Sequence, residues 1–109
     1  MSPKRPEEQG GADVAVEKRT KKKTQKPKLY KVVLHNDDYT PMEFVVAVLQ
    51  TVFHKSESDA MAVMLHAHTH GFAVAGVYTF EIAEEKAAKV AALADEAQFP
   101  LLATIEPDD

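Results

Sequence analysis

Cysteine is absent from the 109 residues, which removes a disulfide scaffold, a thiol nucleophile and a thiolate metal site together. No apolar run approaches the roughly 20 residues that a membrane helix needs. The opening Met1-Ser-Pro-Lys-Arg-Pro-Glu-Glu8 lacks the apolar stretch of a signal peptide, so a soluble cytoplasmic protein is expected. Also missing are a phosphate-binding glycine loop, a nucleophile motif and a carboxylate pair with a reason to differ in pKa. The sequence therefore predicts no enzyme and no cofactor. It shows no internal repeat and no heptad pattern, and its length allows one domain, most simply a monomer.

What the chain does have is a strong charge division under a net charge of −4. Residues 1–28 carry nine Lys or Arg against four acids, whereas residues 29–109 carry four against thirteen. The first segment has few large apolar residues and contains Pro3, Pro6, Gly10, Gly11 and Pro27. It cannot bury enough surface to offset its ordering entropy, so residues 1–27 are expected to be a disordered basic extension. Residues 28–109 are expected to form the domain.

Within the domain, Leu29 to His35 is short, β-branched and bounded by an Asn-Asp-Asp turn, which predicts a strand. Phe44, Val45, Val48, Leu49 and Val52 recur at helical spacing, predicting a helix from Pro41 to about His54. Ser56, with Asp59 three residues on, starts a second helix that Gly71 stops after His70. A strand from Phe72 to Glu81 contains Gly76, which marks a bulge or a close backbone approach. A helix from Ile82 to Gln98 and, after Pro100, a strand from Leu101 to Ile105 complete the order β-α-α-β-α-β. This predicts a small two-layer α+β domain, a three-stranded antiparallel sheet with three helices on one face.

The chemistry concentrates in His35-Asn-Asp-Asp-Tyr-Thr-Pro-Met-Glu-Phe44. Thr40-Pro41-Met42-Glu43 reads as a capping box with Thr40 at the N-cap and Pro41 at the first helical position. Asn36 and Asp38 then lie between two rigid elements, where acceptors can converge on a positively charged group. On the second helix Met61, Met64, Leu65 and His68 are three and four residues apart, so Met64 and His68 share a face. Acceptors beside an adjustable Met-lined surface suit an amine carried on an apolar side chain. His66-Ala-His-Thr-His70 invites a metal, but only His66 and His70 align, and two ligands without Cys or a fixed carboxylate are too few to predict a metal site. Asp37, Asp38 and His68 could mimic an acid/base set, but simple binding accounts for them with fewer assumptions.

Lys28-Leu-Tyr-Lys-Val-Val-Leu34, Asn36-Asp-Asp-Tyr-Thr-Pro-Met-Glu-Phe-Val45, Met64-Leu-His-Ala-His68, Gly76-Val-Tyr-Thr79, Ala83-Glu-Glu-Lys86 and Phe99-Pro-Leu101 resemble the ClpS family of bacterial adaptors. The resemblance covers residues 28–106. It implies an adaptor that binds substrates of the N-end rule through a first residue Leu, Phe, Tyr or Trp and hands them to the ClpA unfoldase of the ClpAP protease. It places the α-amino contacts on Asn36, Asp38 and His68. It places the apolar pocket on His35, Thr40, Met42, Val45, Met64, Ala67 and Leu101, with Met42 excluding β-branched first residues. His35 stands where an aliphatic residue is usual. Ala67 stands where Val is common, and the two methyl groups it lacks predict a roomier pocket. Glu81 and Lys86 match positions that face the N-terminal domain of ClpA, beside Glu85 in place of a common Thr.

An α-amino group titrates near pH 7.7–8.0, so it is mostly a cation with three donors at neutral pH, and three acceptors satisfy it. His68 accepts only while neutral, so acidification should weaken binding. The competing reading from another class is a nucleic-acid-binding or ribosome-associated module using the Lys18-Arg-Thr-Lys-Lys-Lys23 arm. The acidic domain would repel phosphate, so only the arm could contribute, and no nucleic acid or membrane partner is predicted.

Overall fold

The computed structural model describes residues 26–109. The expected extension, residues 1–27, lies outside them except for Lys26 and Pro27. Six elements follow in the expected order: β1 (Leu29–His35), α1 (Met42–Thr51), α2 (Glu57–His70), β2 (Phe72–Thr79), α3 (Phe80–Ala97) and β3 (Leu102–Pro107). The sheet is antiparallel with β1 in the centre, in the order β2-β1-β3.

Alternation along β1 sends Val32 and Leu34 into the core, where they meet Val48, Leu49 and Phe53 from the α1 segment, Met64 from α2 and Val90 from α3. Complete burial of a side chain such as Leu49 contributes about 1.5–3 kcal/mol. Ser56 caps α2 as expected, its hydroxyl accepting from the Asp59 amide at 3.1 Å. Gly71 ends that helix at φ +92°, a conformation that costs glycine no Cβ clash.

Several boundaries differ from the sequence expectation. Helix α1 stops at Thr51, not near His54: His54 turns to φ +57°, and the Lys55 amide reaches back to the Leu49 carbonyl at 3.2 Å. Val52 and Phe53 keep the apolar spacing but are buried from a turn rather than from a helix. Strand β2 ends at Thr79, not Glu81, and helix α3 starts two residues early at Phe80, which packs edge-on against Tyr30 with ring centroids 5.0 Å apart. Strand β3 begins one residue late and runs to Pro107, opposite Tyr30. The irregularity near Gly76 has two parts. Register slips between Val32↔Gly76 and Val33↔Val74, so Ala75 is the extra residue, while a Cβ at Gly76 would collide with the Tyr78 ring.

Candidate functional site

The corner between β1 and α1 is built around Asp37. One of its carboxylate oxygens accepts from the Tyr39 and Thr40 amides at 2.8 and 2.7 Å, and the other accepts from the Thr40 hydroxyl at 2.7 Å. Burial raises the Asp37 carboxyl, but the bonds from the Thr40 hydroxyl and the two amides outweigh it and hold the group below its ordinary value. The expected capping box does not form. The N-cap is Pro41, without a side-chain capping bond, and the Thr40 hydroxyl is directed back to Asp37. The reason is local competition: the Asp37 carboxylate, an ionised acceptor three residues upstream, draws the Thr40 hydroxyl into a charge-assisted bond and away from the Glu43 amide.

A second link closes the corner against α2. The Asn36 amide donates to the Gly71 carbonyl at 2.9 Å, and the Gly71 amide to Ala67 at 2.8 Å, which brings the end of β1 beside the last turn of α2. Phe99 meets Phe44 edge-on with centroids 5.0 Å apart, and Leu101, two residues further on, is buried.

The result is a cavity of about 350 Å³. Asn36, Asp38 and His68 border it, as do His35, Thr40, Met42, Val45, Met64, Ala67 and Leu101, so all ten residues singled out for the amine and the apolar pocket come together. Met64, Ala67 and Leu101 are buried, whereas Asn36, Asp38 and His68 are exposed and Met42 is 43% exposed. Among the described residues, no side-chain hydrogen bond engages Asn36, Asp38 or His68, so their polar atoms are open to a ligand. His35 borders the cavity, but its ring is turned to Thr104, with Nε2 2.7 Å from the hydroxyl, so the imidazole is committed within the sheet. Leu34, Asp37, Tyr39 and Pro41 also line the cavity and were not singled out. For Asp37 a signal existed: an Asp two and three residues before free amides, at the end of a strand, is an Asx-turn pattern.

The two charged positions on α3 differ from one another. Glu81 is an exposed acid in the first turn. Lys86 is partly buried, donates to the Val52 carbonyl at 2.8 Å and lies 5.7 Å from the centre of the Tyr78 ring. It thus ties α3 to the end of α1, while burial pushes the Tyr78 phenol up. Among the described residues no group of three or more His, Cys, Asp or Glu could hold a metal. No helix there is long and apolar enough to cross a membrane.

Exposed polar side chains around buried apolar walls on a small α+β frame make this a small ligand-binding domain. The comparisons give its family. The family model described as "ATP-dependent Clp protease adaptor protein ClpS" matches residues 25–104. The chain is 55% identical over 96 residues to the ATP-dependent Clp protease adapter protein ClpS of Myxococcus xanthus, covering 88% of this chain and 90% of that one. It is 56% identical over 106 residues to the protein of that name from Phenylobacterium zucineum, covering 95% and 97%. Agrobacterium tumefaciens ClpS2, solved bound to L-phenylalaninamide, superposes with a TM-score of 0.74 at 53% identity, over 76% of this chain and all of that one. The chain belongs to the ClpS family of Clp protease adaptors.

Proposed function

We propose that this domain is an N-end rule adaptor: it captures the first residue of a protein when that residue is Leu, Phe, Tyr or Trp, and delivers the protein to the ClpA unfoldase of ClpAP. The observation that carries the reading is the meeting of Asn36, Asp38 and His68 at the mouth of one apolar cavity. L-phenylalaninamide, the ligand of the Agrobacterium relative, has a free α-amino group, an apolar ring and an amide where the next peptide bond would stand. Asn36 offers an amide oxygen, Asp38 the opposite charge, and His68 a ring lone pair while it is neutral. Met64, Ala67, Val45 and Leu101 take the side chain, and Met42 at the rim crowds any branch near its root.

Delivery needs a second surface, for which Glu81 is the exposed candidate, and Lys86 acts there mainly by fixing the end of α1 relative to α3. The adaptor itself makes and breaks no bond. Fluorescence anisotropy tests the reading. A labelled peptide beginning with Phe should bind, and its N-acetylated copy and an RNA oligomer should not. Equal binding of the acetylated copy would end the proposal. Binding of RNA alone would instead support a nucleic-acid module.

A further inference from the structure

We propose that Met42 is an oxidation site: hydrogen peroxide converts its thioether to the sulfoxide, and the domain then loses its hold on an apolar first residue until the sulfoxide is reduced. The inference rests on the adaptor reading above. Of the four methionines, Met1 lies outside the described residues, and the other three stand in three different environments. Met64 is 5% exposed and belongs to the core. Met61 is 44% exposed and borders a second, more open cavity of about 410 Å³ between α1 and α2, but not the first. Met42, 43% exposed, borders both cavities and is the one exposed methionine among the described residues on the rim of the first.

The chemistry needs peroxide to reach sulfur. A sulfur lone pair attacks one peroxide oxygen, the S–O bond forms as the O–O bond breaks, and the other oxygen leaves as water, so that sulfur gives up two electrons and the peroxide takes them. Exposure admits the oxidant at Met42 and Met61, and burial keeps it from Met64. The consequences at the two open sites differ. Oxidation replaces a flexible apolar side chain by a polar, chiral one. At Met61 the new oxygen stays in water whether or not the first cavity is filled. At Met42 it stays in water only while the first cavity is empty, turned to the outer side. A seated first residue closes the rim, and the oxygen is then either covered or withdrawn together with the contact near the ligand's root. Covered, it finds no donor nearby: Val45, Val46, Ala47 and Met64 offer none from their side chains, Glu43 adds negative charge, and the Thr40 hydroxyl is spent on Asp37. The ligand's ammonium is already matched by Asn36, Asp38 and His68.

The test treats the full chain with hydrogen peroxide for increasing times, maps the added oxygen at each methionine by peptide mass spectrometry, and reads Tm and the anisotropy of a Phe-initiated peptide on the same samples. Free against acetylated peptide on the untreated chain checks the adaptor reading separately. Affinity should fall in step with the Met42 sulfoxide fraction, by at least about fivefold at completion, the least that a covered acceptor without a partner costs. Tm should stay nearly unchanged, because Met42 lies outside the core, and methionine sulfoxide reductases of both stereochemical specificities, supplied with a thiol reductant, should restore binding. Met61→Leu should bind, and lose affinity on treatment, as the unaltered chain does. Met42→Leu keeps the other three methionines and, from whatever affinity it starts, should lose nothing further. Met42 left unoxidised, full affinity with Met42 oxidised, a loss that follows Met1 or Met61 instead, or a loss that comes with a falling Tm would each overturn the proposal.

Discussion

Adjacent aspartates at the corner are assigned opposite duties, and replacing each with alanine separates them. Asp37 accepts three bonds from Tyr39 and Thr40 and is half-buried, so Asp37→Ala removes a cap-like acceptor. Losing such a residue costs about 0.5–2 kcal/mol, and the Thr40 hydroxyl can turn to water, so the total stays near about 1–2 kcal/mol. For a domain of this size that lowers Tm by about 4–8 °C per kcal/mol. Asp38 is exposed and engages no other described residue, so Asp38→Ala should leave Tm nearly unchanged. It should instead weaken a Phe-initiated peptide by about 1.5–3 kcal/mol, the worth of a charge-assisted bond, or roughly 10–150-fold. Thermal denaturation read beside peptide anisotropy checks both. The reasoning fails if Asp38→Ala is the variant that melts early, or if Asp37→Ala melts with the unaltered chain. The pH dependence has a fixed sign. The Asp37 carboxyl is held below its ordinary value, so its contribution is present above the unfolded pKa of about 3.9 and is lost as pH falls through the lower folded value. Asp37→Ala should therefore flatten the acid limb of a Tm against pH curve.

Ala67→Val adds two methyl groups at a buried cavity wall, so it should cost Trp- and Phe-initiated peptides about 1–3 kcal/mol more than Leu-initiated ones, measured by competition anisotropy. Lys86→Met removes the ammonium bonded to the Val52 carbonyl and should lower stability by about 1–2 kcal/mol in a urea titration, with Lys86→Arg intermediate. Gly76→Ala places a Cβ against the Tyr78 ring and should destabilise by about 1–3 kcal/mol, an effect that Tyr78→Ala introduced together should relieve in a double-mutant cycle.

Where the signal is local, the sequence carried it. The Ser56 cap, the Gly71 stop and the end of β1 before the Asn-Asp-Asp turn each depend on neighbours within four residues, and each stands in the structure as read. The convergence of the site residues was legible only in part: Met64 and His68 share a face by spacing, but nothing in the spacing sets β1 beside the end of α2. The Asn36 to Gly71 bond does that, across 35 positions. Thr40 was misread because the pattern of a capping box does not show that the Asp37 carboxylate competes for its hydroxyl. The end of α1 was misread because Val52 and Phe53 continue its apolar period while packing from a turn. Lys86 was singled out only for a partner surface, and its packing role was not legible because its contacts, Val52 and Tyr78, come from other elements. His35 is different. One step past Leu34, the two-residue period already points its side chain to the opposite face of the sheet, where Thr104 receives it.

On the proposed adaptor reading, the exposure of Asn36, Asp38 and His68 decides how a free amine is told from a blocked one. Groups already in water carry no penalty in the empty domain, so the site stores no strain to release on binding. Discrimination arises when a ligand covers them. An ammonium returns three donors and a charge for the water displaced, whereas an acetylated nitrogen returns one donor and no charge. Each acceptor then covered without a partner costs about 1–3 kcal/mol, so two orphaned acceptors account for a preference of roughly 30-fold or more. That preference grows with the ligand's ability to exclude water, which is the work of the apolar cavity and of Met42 at its rim. Amine recognition and side-chain recognition are therefore coupled in one closure: a small first residue such as Ala, which leaves the cavity wet, should lose selectivity for the free amine as well as affinity. A peptide series crossing Phe and Ala with free and acetylated ends measures that coupling directly, and strictly additive losses would show the two halves of the site to act independently.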